Sequence, residues 1–325
     1  MNLLVTGGAG FIGCNFIRLM LKKHPGWKIL NLDKLTYAGR LENTRDFAKN
    51  RNYKFVKGDI RDKGLVESLI EDLQLDVVVH FAAESHVDRS ISDPTIFLES
   101  NVRGTCTLLD AALENEVEKF VHISTDEVYG SIRSGSFKEA DRLEPNSPYS
   151  ASKAAAEMFA RAYHATNGLP VVITRSSNNY GPHQFPEKLI PLFITNLLRG
   201  KKVPVYGTGL NVRDWLYVDD NCEGIETVLL KGKPGEAYNI GGGEERTNLE
   251  LTKMLLKHLK KSEDHIQFVE DRKGHDFRYS LDCKKIRKEL GWKPKVNLEK
   301  GLKLTVDWYL KNERWWKPLA KPHPQ

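Results

Sequence analysis

Two short stretches carry residues whose types and spacing could do chemistry. In HISTDEVYG, His122 to Gly130, an apolar run ends in a hydroxyl, Thr125, followed at once by two carboxylic acids, Asp126 and Glu127. Taken alone, such a triplet reads as a polar loop capping the next element. In YSASK, Tyr149 and Lys153 stand four residues apart, so on a helix they share one face one turn apart. A phenol with an ordinary pKa near 10 is a poor base at neutral pH, and a neighbouring ammonium would favour its ionised form. With the Thr125 hydroxyl beside it, this set could take the proton of an alcohol.

A hydride acceptor is suggested by the N-terminus. LLVTGGAGFIG places Gly7, Gly10 and Gly13 between an apolar run and an amphipathic one. Gly7 permits a tight turn, Gly10 lets backbone amides approach a pyrophosphate at a helix N-terminus, and Gly13 allows close helix packing. Asp33 ends the next strand-like run, where an acid accepts hydrogen bonds from both ribose hydroxyls and repels a 2′-phosphate. This favours NAD over NADP, with Lys34 the one dissenting charge. GDI, Gly58 to Ile60, offers Asp59 to an adenine amino group, and FAAES, Phe81 to Ser85, leaves room for a flat cofactor. A positive nicotinamide ring would then add to the pull of Lys153 on the phenol.

These groups need a scaffold that brings strand ends together. Strand patterns fall at Asn2–Thr6, Lys28–Asp33, Tyr53–Lys57, Val77–Phe81, Lys119–Ser124 and Pro170–Arg175. Helical patterns lie between them at Ile12–Lys22, Lys63–Asp72, Thr95–Glu114 and Tyr149–Thr166. Such alternation predicts an α/β fold, a Rossmann-type doubly wound parallel sheet whose ligands lie beyond the carboxyl ends of the strands. The pattern loosens past Tyr180. The expected division is a NAD-binding domain over 1–179, with 213–241 returning to it, and a smaller α/β substrate domain over 180–212 and 242–325.

Composition narrows the function classes. The chain has 325 residues, 40% apolar and 28% charged, with a net charge of +6. Lys and Arg are scattered, and the excess in KHLKK and CKKIRKE reads as solvated helix faces, which argues against nucleic acid. No run approaches the roughly 20 apolar residues of a membrane span. Cys14, Cys106, Cys222 and Cys283 are widely spaced, suggesting neither a metal site nor disulfides and so a cytoplasmic protein.

The set TGGAGFIG, YSASK and strand-end Thr125 resembles the extended short-chain dehydrogenase/reductases acting on nucleotide sugars. STDEVYG, FAAESHVDRS, RSSNNYGP, FPEKLIPL, NVRDWLYVDD, YNIGGGEERTN and DRKGHDFRYSLD are similar, more narrowly, to the dTDP-glucose 4,6-dehydratases, from Met1 to about Trp316. The resemblance implies dTDP-glucose as substrate and a cycle in which carbon 4 is oxidised, water leaves across carbons 5 and 6, and hydride returns to carbon 6. In that cycle Glu127 is the base at carbon 5 and Asp126 the acid at the departing hydroxyl, while Thr125, Tyr149 and Lys153 serve the oxidation.

Residue by residue, the resemblance adds to the cofactor site Phe11, Ile12, Lys34, Thr36, Ile60, Phe81, Ala82, Ala83, Ser85, Ser100 and Asn179, with Tyr149 and Lys153 shared. For the substrate it implies His86, Thr125, Asn178, Lys188, Leu189, Ile190, Pro191, Pro204, Tyr206, Arg213, Asn248 and the segment Asp271 to His275. Within that set Arg213 and Arg272 suit phosphate oxygens. It also suggests a homodimer; apolar stripes on Thr95–Glu114 and Tyr149–Thr166 could pair across a two-fold axis, or could equally be covered within the chain. Arg40, Ser176 and Phe277 depart from the family's usual residues, and none replaces a proposed catalytic group. The alternatives are a nucleotide-sugar 4-epimerase or decarboxylase, which would not need the acid pair, and a non-catalytic NAD-binding protein.

Overall fold

A computed structural model describes residues 1–271 and 274–320. Its strands in chain order are β1 (Asn2–Thr6), β2 (Lys28–Asp33), β3 (Tyr53–Lys57), β4 (Val77–His80), β5 (Lys119–Thr125) and β6 (Val171–Ser176). There follow β7 (Asn178–Tyr180), β8 (Val203–Tyr206), β9 (Val212–Tyr217), β10 (Ala237–Ile240), β11 (Glu245–Thr247) and β12 (Ile266–Val269). A seven-stranded sheet has the order β10-β6-β5-β4-β1-β2-β3, and every pairing in it is parallel. Chain order reverses between β1 and β4, which opens a crevice at their carboxyl ends.

The sheet is apolar on both faces because helices cover both. Leu3, Val5, Val77, Val79, Val121 and Ile123 point into one core, and the alternating Leu4, Val78, Phe120, Val171 and Ile173 into the other. The near-continuous apolar runs of these strands follow from that double coverage. Fully burying each such side chain contributes about 1.5–3 kcal/mol.

A third core, built on Tyr180, Phe193, Trp215, Leu251, Leu302 and Trp316, lies under two small sheets, β11-β9-β7 and β12-β8. The stretch 213–241 is shared between the two regions. β9 pairs with β7 and β11, whereas the helix Val218–Lys231 packs its Val218, Cys222, Ile225 and Val228 into the large sheet's core and β10 joins that sheet's edge.

The helix Pro148–Asn167 begins where the sequence is built for a start. Ser147 accepts from the Ser150 amide at 3.1 Å, the Ser150 hydroxyl accepts from the Ser147 amide at 3.0 Å, and Pro148 takes the first turn. The expected continuous helix Thr95–Glu114 is instead interrupted by a π segment, Leu98–Arg103, between Thr95–Phe97 and Gly104–Glu114. Asn101 of that segment turns inward, accepting from the Glu84 amide at 2.8 Å and donating to Ser152 Oγ at 2.8 Å. The wider turn is held by those bonds rather than by local propensity. Among the described residues no helix is long and apolar enough to cross a membrane.

Candidate active site

The loop after β1 is a cradle that side chains would fill. Gly7 has φ +71°, and a Cβ there would fall 2.6 Å from the Ala82 nitrogen. A Cβ on Gly13 would fall 2.4 Å from the Gly7 carbonyl oxygen, so the first helix can approach the strand only as glycine. Above this loop runs a cavity of about 330 Å³. Its wall contains Gly7, Gly10, Phe11, Ile12, Gly13, Asp33, Lys34, Thr36, Asp59, Ile60, Phe81, Ala82, Ala83, Ser85, Ser100, Tyr149, Lys153 and Asn179. Every residue expected at the cofactor is thus brought to one space.

Asp33 is held by the backbone: Oδ2 accepts from the Ala9 amide at 2.9 Å and Oδ1 from the Leu35 amide at 2.8 Å. Burial raises its pKa while those amides pull the other way. Its remaining lone pairs suit ribose hydroxyls. Lys34, the charge that argued for a 2′-phosphate, is paired with Asp59 at 2.9 Å. Burial would raise the Asp59 pKa, but hydrogen bonds from Arg61 and Lys34 hold it well below the usual range. The glycine cradle and the doubly supported acid fit NAD.

β5 ends in Thr125, and the next residues form a tight turn, Asp126–Tyr129, capped by Thr125 Oγ1 accepting from the Glu127 amide at 3.3 Å. The turn sends neighbouring acids into different surroundings. Asp126 is 2% exposed, and its Oδ2 finds no partner among the described residues. Burial, then the charges of Glu127 and Asp214, push its pKa well above the ordinary value, against the pull of Arg213. Glu127 is less buried and borders both this cavity and a second one.

Tyr149 and Lys153 face the same space, but not as the sequence led us to expect. The Lys153 ammonium donates to the Ile123 carbonyl at 2.6 Å, and burial lowers its pKa to about 8 while Glu157 acts to raise it. The phenol of Tyr149 is pushed up, not down, by burial and by the charges of Glu127 and Asp126, with Thr125 pulling it back.

The second cavity, about 220 Å³, shares Glu127, Asn178, Asn179, Gln184, Glu187 and Lys188 with the first. It also contains His86, Leu189, Ile190, Pro204, Tyr206, Arg213, Asn248 and His275. Pro191 is not in its wall: it is buried in the helix Leu189–Leu198. Arg272 lies outside the described residues. Arg213 is 7% exposed and lies 4.3 Å over the Tyr279 ring, with Nη2 donating to the Asp276 carbonyl at 2.9 Å. His86 has a local duty as well, since its Nδ1 accepts from the Arg89 amide at 3.3 Å at the start of the helix Val87–Ser92. Lys188 donates to the Ser85 carbonyl at 2.6 Å, joining the two cavity walls.

Sequence reasoning missed Glu187, Trp215, Asp276 and Tyr279, which also line this wall. All four stand inside or beside motifs already noticed; Trp215 comes from β9, whereas Glu187, Asp276 and Tyr279 reach the wall from segments outside that small sheet. Two of the three departures lie away from both cavities. Arg40 and Phe277 line neither cavity, and Ser176, which does line the first, donates to Asn221 Oδ1 at 2.8 Å.

Comparison with known proteins agrees along the whole chain. The family model described as GDP-mannose 4,6 dehydratase matches residues 4–305. A dTDP-glucose 4,6-dehydratase of Streptomyces antibioticus is 55% identical over 99% of this chain and 96% of its own length. The crystal structure of DesIV, a dTDP-glucose 4,6-dehydratase of Streptomyces venezuelae solved with NAD bound, is 55% identical with a TM-score of 0.96, covering 98% of this chain and 100% of that one. A dTDP-glucose 4,6-dehydratase of Bacillus anthracis in complex with NAD is 52% identical with a TM-score of 0.93, covering 98% and 99%. The chain therefore belongs to the GDP-mannose 4,6 dehydratase family, alongside the dTDP-glucose 4,6-dehydratases.

Proposed function

We propose that this chain removes water from dTDP-glucose, giving dTDP-4-keto-6-deoxyglucose. The observation that carries the reading is the acid pair: Asp126 is buried with its pKa raised, and Glu127 stands at the junction of the two cavities, beside Tyr149. Elimination needs one acid that begins protonated and one that begins ionised, and unlike surroundings separate neighbouring carboxyls into those roles.

When bound, NAD supplies a hydride acceptor at carbon 4, a hydride donor for carbon 6, and in its oxidised form a positive ring near the phenol. Tyr149 takes the proton of the 4-hydroxyl, with Thr125 orienting that hydroxyl and Lys153 favouring the phenolate. Once carbon 4 is a ketone, the hydrogen on carbon 5 is acidic, and Glu127 removes it. Asp126 gives its proton to the 6-hydroxyl, which leaves as water. Carbon 5 then regains a proton. Arg213, Asn248, Tyr206 and His275 hold the nucleoside diphosphate in the second cavity. In this reading residues 1–179 and the returning part of 213–241 hold the cofactor, and 180–212 with 242–325 hold the nucleotide sugar.

The same reading includes a cytoplasmic homodimer. Ile91, Ile96, Leu98, Met158 and Phe159 are exposed large apolar side chains on neighbouring helices, Leu98 at 58%. A face of this kind supports pairing with a second copy, and its sedimentation or light-scattering mass checks it. The four cysteines are free thiols, as suits a reducing compartment.

The activity is tested by incubating the protein with dTDP-glucose and following product by NMR and mass. A new methyl group at carbon 6 and the loss of one water are expected. A product of unchanged mass with inverted carbon 4 would mark an epimerase instead.

A further inference from the structure

Arg175 lies on β6, below the site and out of reach of either cavity, and is 1% exposed. Its guanidinium serves two elements at once. On one side Nε donates to Glu157 Oε2 at 3.0 Å and Nη2 to Glu157 Oε1. Glu157 is itself wholly buried and also accepts from Arg161 Nε at 3.1 Å. On the other side Nη1 donates to the Tyr129 phenol oxygen and to the Glu139 carbonyl, the latter at 3.0 Å. The guanidinium carbon sits 4.6 Å over the Tyr129 ring, and the Tyr129 hydroxyl donates onward to Asn239 Oδ1 at 2.8 Å.

Each partner belongs to an element that carries chemistry. Glu157 is on the helix of Tyr149 and Lys153, one turn beyond the lysine and two beyond the tyrosine, so all three share a face. Tyr129 closes the turn that begins with Asp126 and Glu127. We propose that Arg175 is a positioning residue that sets the spacing between the proton-abstracting pair, Tyr149 and Lys153, and the eliminating pair, Asp126 and Glu127.

The physical case is the cost and the shape of the group. A guanidinium taken out of water is unfavourable unless all its donors are met, and an apolar side chain could fill the same volume without that penalty. Its planar fork fixes the direction of every partner, which a flexible ammonium would not. The two pairs act on adjacent carbons of one sugar, so a small displacement between them costs rate. Glu157 adds an electrostatic link, because its charge supports protonation of Lys153.

This inference rests on the dehydration reading, and single-turnover absorbance of the NAD-loaded protein with dTDP-glucose separates the two. In the unaltered protein NADH should rise as carbon 4 is oxidised and decay as hydride returns. Tyr129→Phe loses the turn-side hydroxyl but keeps the ring under Arg175; it should slow the decay roughly tenfold and leave the rise nearly unchanged. Glu157→Gln should slow the rise by a similar factor and move its alkaline limb to lower pH. Arg175→Lys keeps the charge without the fork, and should slow both phases. If Tyr129→Phe and Glu157→Gln changed both phases in equal proportion, or neither phase, Arg175 would be a packing residue only. Should Glu157→Gln not fold, the selectivity of Tyr129→Phe for the decay decides alone. An unaltered protein with neither NADH transient nor dehydrated product would overturn the dehydration reading, and this inference with it.

Discussion

The Thr125 hydroxyl donates to Asp126 Oδ1 at 3.2 Å, so the residue that ends β5 also fixes the first of the two acids. The other oxygen of that carboxyl is buried and meets no partner among the described residues. Burial favours a proton on Asp126 against the opposing pull of the Thr125 bond, and the residue shares a cavity wall with Glu127, Tyr149 and Lys153.

Replacing Asp126 by Asn should remove the proton donor while preserving shape. Turnover should fall by about 10²–10⁴-fold, the usual worth of a positioned acid. Stability should move the opposite way. The folded pKa of Asp126 lies above the unfolded one, chiefly through burial. Its contribution is therefore intact below the unfolded pKa and declines as pH rises through the folded value. Thermal melts at about pH 4.5 and pH 7 should show the Asn variant gaining about 1–2 °C, with the larger gain at the higher pH. Equal melting points at both would contradict this.

Glu127→Gln should oxidise carbon 4 and then stall. The prediction is an NADH signal that rises at an ordinary rate and persists, with no water lost from the sugar. Normal turnover in that variant would remove Glu127 from the role of base.

Lys153 sets a limit on the alkaline side. Its pKa is lowered to about 8 by burial, so its charge disappears as pH rises through that value. The rate of NADH formation should fall above about pH 8 in consequence. Tyr149→Phe should abolish NADH formation at every pH, since no phenolate then exists to take the hydroxyl proton.

His122 lies in the sheet beneath Lys153, wholly buried, with neither ring nitrogen partnered among the described residues. Its neighbour His80 lies 5.6 Å away, ring to ring. Burial, then the charges of Lys153 and His80, hold the His122 pKa well below 6.5. The unfolded chain takes up this proton first, so stability is lost as pH falls from about 6.5 toward the folded value, with a slope of about 1.4 kcal/mol per pH unit. His122→Leu should remove that component. Urea unfolding at pH 7.5 and 5.5 should show the variant losing less stability than the unaltered chain.

Much of the scaffold could be read from local pattern. The strand runs were placed to within a residue, because a doubly covered parallel strand is apolar throughout and glycine or an acid marks its end. β4 stops at His80, one residue short of the expected Phe81, since Phe81 already turns into the cavity wall. The π segment was not legible: Leu98–Arg103 has an ordinary helical sequence, and the bonds from Asn101 that widen it reach Glu84 and Ser152, far away in the chain. Glu187, Trp215, Asp276 and Tyr279 escaped notice for a related reason, because nothing near them in sequence announces that β9 and two separate loop segments converge on one cavity.

The amino-acid order alone determined the glycine turn, the strand-end acids, and the one-turn spacing of Tyr149 and Lys153. Steric limits on the backbone and helical periodicity act over a few residues, so those features are complete within their own segments. Tertiary structure alone decided that burial favours the protonated form of Asp126, that Lys153 addresses a carbonyl while the phenol is held high, and that Lys34 is spent on Asp59. Charge state depends on desolvation and on Coulomb fields summed over groups from distant segments, and those distances exist only once the chain has folded.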